Sequence, residues 1–366
     1  MLSLADFLRS RREKSFTIIL NKLAMSIRVA IIGVGNLAAS LVQLILKGSD
    51  PAVRENVGGY KVSDIEIVAA VDVDARKVGK DLSEAIFVSG DARKAIDVPK
   101  LGIEVLPGKM LDEMPNEAFP EGVKESEDFV DALKEADIVI NAIYPKSHKS
   151  SRYYAEKALE AKAAFINVTN SPIANDKEMQ KKFAEAGLPI VGDMLLGQAG
   201  SGALHRELLE FFVRRGAIVK ETYQLDIAGG IEGFLNFYEP IREEIKRYRS
   251  AFVRDSMPIE EDKVVSGSSD YVDFMRNART SYLRFAGYSP LNAPFEMDVR
   301  FTHRDGPDAV AILADVIRAT KLAMDRGVSG YLESVGLYGF QITPIYLPLH
   351  VAERLFEDFI NGRREI

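Results

Sequence analysis

Short apolar runs alternate with helix-like patterns through the first half of the chain. Runs that predict buried strands occupy residues 29–32, 65–71, 137–141, 164–168 and 189–191. Between them, apolar residues recur at helical spacing and predict helices after residue 35 and at 75–86, 126–135, 151–161 and 177–186. Strands that alternate with helices are typical of βαβ units, so this half of the chain predicts an open parallel sheet.

The pattern changes after residue 200. Apolar and polar residues then alternate along residues 221–227, 282–285 and 294–301, which predicts a mixed or antiparallel sheet. Two helices are predicted beside it, at 204–214 and 242–254. A long amphipathic helix at 308–326 is expected to return and pack on the first half of the chain.

A glycine motif follows the first predicted strand. Gly33 permits a tight turn, and Gly35 lets the backbone approach a pyrophosphate at the positive N-terminus of the helix that begins with Asn36 and Leu37. Ala38 takes the third small position, where the helix packs on the strand. A strand, this turn and a helix together predict a dinucleotide-binding site.

Polar side chains gather at the carboxyl ends of the predicted strands, beyond which open parallel sheets bind their ligands. Asp72 is placed to accept hydrogen bonds from an adenosine ribose; the alternative is a solvated strand-end carboxylate. Its distance from Gly33 exceeds the usual interval of about 20 residues, because residues 47–63 have the composition of an insertion. Further candidates for binding the cofactor are Asp74, Asn141, Thr169, Asn170 and Asp193.

These patterns predict an α/β fold with a Rossmann-like parallel-sheet domain and a second α+β sheet domain that mediates oligomerisation. The dinucleotide-binding domain is expected at 25–200, the second sheet domain at 201–306 and a C-terminal return to the first domain at 307–366. The basic segment 1–24 is predicted to be an extension outside the fold, with a membrane-surface helix as the alternative.

Composition narrows the classes of function. The chain has 366 residues, of which 47% are hydrophobic, so two cores are possible. A net charge of -7 argues against nucleic-acid binding, and no apolar run approaches the roughly 20 residues that span a membrane. The absence of cysteine fits a cytoplasmic protein. The histidines show no metal-binding spacing, so His205 and His303 are predicted to be structural and no metal site is expected.

Many segments resemble the prokaryotic type of myo-inositol-1-phosphate synthase. The likeness runs in register from residue 28 to residue 344, and the matching segments are 33–38, 58–67, 72–74, 77–86, 186–189, 192–193, 204–206, 221–225, 267–271 and 318–326. The resemblance implies a homotetramer that converts glucose 6-phosphate to inositol 1-phosphate with NAD. In that reaction C5 of the open-chain sugar is oxidised, an intramolecular aldol step closes the ring, and the reduced cofactor then reduces the product.

The sequence departs from this family at its lysines. Arg279 and Gln341 stand where the family has lysine, Leu196 replaces the lysine of the phosphate loop, and the segment 249–255 lacks two more. Arginine holds charge but does not relay a proton readily. The sequence therefore predicts a divergent paralogue that loses the ordinary cycle unless other groups substitute. The candidate catalytic residues are Arg279, Lys146, Lys246, Arg254, Asp305 and Lys321, with Arg249 as a further cation.

Three functions remain open at this point. The first is an inositol-phosphate synthase-like enzyme that acts on glucose 6-phosphate or a related sugar or polyol phosphate. The second is an NAD-dependent oxidoreductase that acts on another, unphosphorylated polyol. The third is a tetramer that binds NAD without catalysis.

Overall fold

The computed structural model describes residues 26–255 and 257–365. The predicted extension at 1–24 lies outside these residues. The strands are β1 (Ile27–Ile32), β2 (Ile65–Asp72), β3 (Val105–Pro107), β4 (Ile138–Asn141), β5 (Ala164–Asn167), β6 (Pro189–Gly192), β7 (Ile218–Ala228), β8 (Val264–Tyr271), β9 (Ala278–Ser289), β10 (Ala293–Arg304) and β11 (Gly330–Tyr331). The helices are α1 (Asn36–Lys47), α2 (Leu82–Ala85), α3 (Phe129–Leu133), α4 (His148–Glu160), α5 (Lys177–Glu185), α6 (Ser201–Arg214), α7 (Ile231–Leu235), α8 (Glu239–Arg254), α9 (Asp305–Asp325), α10 (Glu333–Gly339) and α11 (Leu349–Ile360).

Seven parallel strands form the first sheet, in the order β3-β2-β1-β4-β5-β6-β11. Every residue of β4, β5 and β6 is buried, as expected for strands that are covered on both faces. The strand order reverses direction between β1 and β4, and ligands of such sheets bind at this switch point. This topology confirms the predicted α/β class with a Rossmann-like parallel sheet.

The second sheet has four strands in the order β10-β9-β7-β8. β9 is antiparallel to β7 and β10, whereas β7 and β8 are parallel, so the sheet is mixed. Residues of β7 alternate in burial: Thr222 and Gln224 face inward, and Tyr223 and Leu225 face outward with 39% and 41% exposure. One face of this sheet therefore packs on the protein, and the other presents apolar side chains.

The long helix α9 connects the two sheets. It follows β10 directly, so its first turn lies beside the second sheet, and its buried residues Leu313 and Ile317 share a core with Ile31 of β1 and Leu41 of α1. The end of β10 and the start of α9 are thereby held near the carboxyl ends of the parallel strands.

One predicted helix is wrong in most of its length. Residues 75–80 form turns, and only the short helix α2 lies within the predicted range 75–86. The Asp74 carboxylate accepts hydrogen bonds from the backbone N–H and the side chain of Arg76, and Gly79 adopts a φ of 84° that ends any helical path. Among the described residues, no helix is both long and apolar enough to cross a bilayer.

Candidate active site

The loop after β1 is locked between two neighbouring strands. The Gly33 N–H donates a hydrogen bond to the Val71 carbonyl of β2 at 2.8 Å. Gly33 has a φ of 99°, and a Cβ atom there would lie 2.3 Å from the Ala142 carbonyl oxygen after β4. Only glycine satisfies both conditions, so the fold itself requires Gly33.

Gly35 is different, because nothing in the folded chain requires a glycine there. Its backbone is extended, with a φ of -113°, and no atom lies within 4 Å of the position of a Cβ. Gly35 precedes α1, whose first turn contains no acidic residue and has no side-chain cap. An exposed helix N-terminus of this kind favours an anion, and the open space above Gly35 is where the anion would approach.

Asp72 organises this loop from the end of β2. One carboxylate oxygen accepts hydrogen bonds from the Val34 N–H at 2.8 Å and from Lys77 Nζ at 3.1 Å. The other accepts from the N–H groups of Val73 and Asp74, at 2.8 and 2.9 Å. The hydrogen bond from the Val34 N–H lets Asp72 hold the glycine loop in place. Asp72, which was predicted to bind the ribose, also lines the cavity described next.

A cavity of about 650 Å³ lies between the carboxyl edge of the first sheet and the inner face of the second. One side is formed by the loops after β1, β2, β4 and β5, and it includes Gly35, Asn36 and Leu37, together with Thr169 and Asn170. The other side is formed by the second sheet and by the starts of α6 and α9. This volume lies within the range of small-molecule and cofactor sites, about 300–1,000 Å³.

A second helix N-terminus opens into the cavity. α6 begins after the glycine-containing loop 196–200, its first turn has no acidic residue, and Gly197 and Gly200 line the cavity. Asp308 of α9 packs against this loop, and its Oδ1 accepts a hydrogen bond from the Ala199 N–H at 2.7 Å. Its Oδ2 would lie 2.0 Å from a Cβ atom at position 197, so a side chain there would overlap with Asp308. Burial raises the pKa of Asp308.

Arg279 lies in the cavity wall, but carboxylates occupy its guanidinium. Nε donates to both carboxylate oxygens of Asp305, at 2.9 and 3.1 Å. Nη1 donates to Asp226 and to Ser268. Nη2 donates to Asp305 at 2.8 Å and lies 3.3 Å from a Glu232 carboxylate oxygen. Burial opposes the charge of Arg279, but the three carboxylates raise its pKa above the ordinary value. Burial also opposes the charge of Asp305, but Arg279 lowers its pKa. Arg279 and Asp305, which were each predicted to be catalytic, bind each other.

Arg249 of α8 completes this charged cluster. It donates to Asp226 at 2.7 Å and to Glu232 at 2.9 Å, and it lines the cavity. The other predicted cations do not line the cavity. The Lys146 backbone N–H donates to Asn170 Oδ1, and Lys246 Nζ is 3.9 Å from a Glu243 carboxylate oxygen. Arg254 forms ion pairs with Asp255 and Glu261. Lys321 forms an ion pair with Asp325, one turn further along α9.

Four predicted cofactor residues do not line the cavity. Asn141 Nδ2 donates to Asn167 Oδ1 at 2.8 Å, and Asn167 Nδ2 donates to Asp193 Oδ1 at 2.7 Å, which links the ends of β4, β5 and β6. Burial raises the pKa of Asp193 to about 6, although its hydrogen bonds oppose that shift. Asp74 is fully buried against Arg76, and Ala38 packs in the core. These residues order the protein around the site without reaching its cavity.

Several polar residues of the cavity wall have buried atoms without a hydrogen-bond partner, and of these residues the sequence predicted only Asn36 to bind a ligand. Asn36 Oδ1, Asn277 Nδ2, Gln341 Oε1 and both ring nitrogens of His303 are buried there without a hydrogen-bond partner. Buried polar atoms normally have partners, so these atoms are suited to the hydroxyl groups of a ligand. The one sequence signal that His303 could lie in the cavity is its position just before the long helix α9. Among the described residues, no three His, Asp or Glu side chains group closely enough to hold a metal ion.

The fold and this cavity define a Rossmann-like α/β protein with a glycine loop of the dinucleotide-binding kind. Residues 200–306 match the family model described as myo-inositol-1-phosphate synthase. The chain is 36% identical over 357 residues to the inositol-3-phosphate synthase of Corynebacterium glutamicum, covering 92% of this chain and 98% of that enzyme. It is 35% identical over 361 residues to the enzyme of the same name from Mycolicibacterium smegmatis, covering 93% and 99%.

A solved structure shows the same fold. The myo-inositol-1-phosphate synthase-related protein of Thermotoga maritima superposes with a TM-score of 0.75 at 22% identity, covering 92% of this chain and 98% of that chain. The protein belongs to the myo-inositol-1-phosphate synthase family.

Proposed function

We propose that this protein is an NAD-dependent isomerase that converts glucose 6-phosphate, or a closely related sugar phosphate, to an inositol phosphate. The observation that carries the proposal is the meeting of the N-termini of α1 and α6, neither of which has an acidic residue in its first turn, in one cavity. Two anion sites at opposite walls suit a pyrophosphate and a sugar phosphate. The absence of cysteine supports a place in the cytoplasm.

The glycine-loop side of the cavity fits NAD. Gly35 leaves open space for the pyrophosphate, the N-terminus of α1 provides backbone N–H groups, and Asn36, Leu37 and Thr169 line the adjoining wall. When bound, NAD would accept hydride from the substrate and return it later. The chain contributes binding and orientation, because Asp72 holds the Val34 N–H and fixes the loop.

The second-sheet side of the cavity fits the sugar. The start of α6 would bind the phosphate, and the unpartnered amide atoms of Asn277 and Gln341 would bind hydroxyl groups. Arg249 and Arg279 bind three carboxylates, those of Asp226, Glu232 and Asp305, so the two arginines hold this wall in place and supply no surplus positive charge. Arg279 acts here by positioning these carboxylates rather than by relaying a proton.

A direct assay tests this function. Incubation of the full chain with NAD and glucose 6-phosphate is expected to yield inositol phosphate, measured as the phosphate that periodate releases. Omission of NAD from nucleotide-free protein is the control and should abolish the product, because the oxidation of C5 needs a hydride acceptor. Protein that binds NAD yet forms no product would exclude glucose 6-phosphate as the substrate.

The charged cluster supports a second candidate, an NAD-dependent oxidoreductase for an unphosphorylated polyol. Both arginines on the sugar side already bind carboxylates, and Asp308 accepts the Ala199 N–H of the loop assigned above to the phosphate. An uncharged polyol would not have to compete with these carboxylates. Absorbance of reduced nucleotide after addition of polyols, but not of glucose 6-phosphate, would favour this candidate.

We also propose a homotetramer that assembles through the outer face of the second sheet. Tyr223, Leu225 and Tyr282 are 39 to 42% exposed on adjacent strands of that face. Leu225→Asp is expected to shift the protein to smaller species in sedimentation, because it places a charge in the apolar contact. Leu291→Asp, at a fully exposed turn, is the matched control and should leave the assembly unchanged. Identical sedimentation of both variants and the parent chain would contradict this interface.

A further inference from the structure

His303 occupies the inner face of β10, directly opposite Arg279 of β9. Its ring stacks on Phe301 with centroids 5.1 Å apart and an interplanar angle of 17°. The side chain is only 10% exposed, and it lines the cavity. His303 is thus a buried imidazole in the wall of the proposed active site, held in one orientation by an aromatic ring.

Neither ring nitrogen of His303 has a hydrogen-bond partner. Nδ1 lies 3.8 Å from Asp305 Oδ1 and 3.7 Å from Asp308 Oδ2, so two carboxylates flank the same nitrogen. These distances are longer than a hydrogen bond, but such contacts commonly tighten when a ligand binds. The arrangement resembles a catalytic histidine whose Nδ1 is oriented by a carboxylate while Nε2 meets the substrate.

Arg279 and two tyrosines of the cavity wall are poorly suited to transfer a proton near neutral pH. Arg279 is fully engaged by carboxylates and stays charged. Burial raises the pKa of Tyr144, and burial together with the Asp273 hydrogen bond raises the pKa of Tyr271 to about 12, so both phenols stay protonated. Among the described residues that line the cavity, His303 is the only histidine.

We propose that Nε2 of His303 is the proton-transfer group of the isomerisation, a role that rests on the proposed function. After oxidation of the sugar to a ketone, neutral His303 takes a proton from the adjacent carbon. The C–H bond breaks, an N–H bond forms, and the electron pair enters the enolate. The enolate carbon then attacks the aldehyde, and the imidazolium returns its proton to the new alkoxide. The cycle leaves His303 neutral, and Asp305 and Asp308 stabilise the charged imidazolium between the two steps.

The variant His303→Gln tests this role, because glutamine can still form hydrogen bonds but does not accept a proton. With NAD and glucose 6-phosphate, product formation is expected to fall about 100- to 10,000-fold, the usual contribution of general acid–base catalysis. Reduced nucleotide should still appear after addition of substrate, since oxidation precedes the proton transfer. His350→Gln is the matched control: its side chain is 44% exposed, beside Glu210, and its turnover should equal that of the parent chain.

The outcomes separate the two proposals. Parent protein that forms product while His303→Gln turns over within threefold of it would overturn the role of His303 alone. Parent protein that is inactive with glucose 6-phosphate but reduces NAD with a polyol contradicts the proposed function, and the role of His303, which rests on that function, is overturned with it. Inactivity with both substrates contradicts both proposals.

A measurement on the unaltered chain covers the case in which His303→Gln does not fold. Diethyl pyrocarbonate acylates imidazoles, and peptide mass spectrometry identifies the modified histidine. Activity is expected to fall in proportion to acylation at His303, and bound substrate should protect both. Full activity with His303 acylated would overturn the proposal. Added imidazole should also restore part of the turnover of His303→Ala, which a merely structural role would not allow.

Discussion

Gly35→Ala is expected to fold normally and to lose NAD binding. Because no atom lies within 4 Å of a Cβ at this position and the backbone is extended, the change should cost less than about 1 kcal/mol of folding free energy. The new methyl group would occupy the space through which the pyrophosphate approaches. We expect the dissociation constant for NAD to rise at least about 100-fold, or about 2.8 kcal/mol. Thermal unfolding and calorimetric titration measure the two effects separately.

Gly33→Ala is the informative comparison, because the same substitution two residues earlier should fail for another reason. A Cβ there would lie 2.3 Å from the Ala142 carbonyl, at a φ of 99°. We expect a loss of about 3 kcal/mol or more of stability from strain and overlap. If Gly35→Ala bound NAD as tightly as the parent chain, the space above Gly35 would not be the pyrophosphate site.

Arg279→Met is expected to destabilise the fold strongly. Removal of the guanidinium leaves Asp305 without its main partner and deprives the fully buried Asp226 of one of its two arginines. Breaking a buried ion pair by removing one partner costs about 3–5 kcal/mol, because an uncompensated charge stays buried. Urea unfolding at neutral pH measures this loss.

Arg284→Met on the same strand provides the matched control. Arg284 pairs with Glu296 at 2.7 Å, but that carboxylate is 62% exposed, so its removal should cost less than about 1 kcal/mol. Similar losses for the two variants would contradict the structural role of the Arg279 cluster.

The pH dependence of Arg279→Met has a definite sign. Arg279 lowers the pKa of Asp305, so the stability from this pair is present above the ordinary pKa of aspartate, about 3.9, and is lost as the pH falls through the lowered value. In Arg279→Met this stabilisation is absent at every pH. The difference in unfolding free energy between the parent chain and the variant should therefore shrink below about pH 4. A constant difference down to acid unfolding would contradict this coupling.

The sequence predicted the part of the site that depends on local signals. The turn at Gly33 and Gly35, the start of α1 and the acidic end of β2 all lie in short segments whose patterns are specific. The same holds for the alternating segments 221–227, 282–285 and 294–301, which lie in β7, β9 and β10. Such signals need no knowledge of what packs against the segment.

The rest of the site depends on contacts between distant segments. Arg279 meets carboxylates from β7, α7 and α9, and nothing near residue 279 in the sequence indicates that its donors are occupied. His303 carries no local motif, so it was predicted to be structural, yet the order of β9 and β10 places it opposite Arg279 in the cavity. β8 was not predicted, since serine and glycine fill half of its positions and its pairing with β7 supplies the order.

Titration of nucleotide-free protein with NAD is the most direct test of this account, because every proposed step begins with that cofactor on the loop after β1. We expect saturable binding of one NAD per chain, weakened at least about 100-fold in Gly35→Ala while that variant stays folded. Folded protein that takes up neither NAD nor its reduced form would contradict the assignment of the cavity.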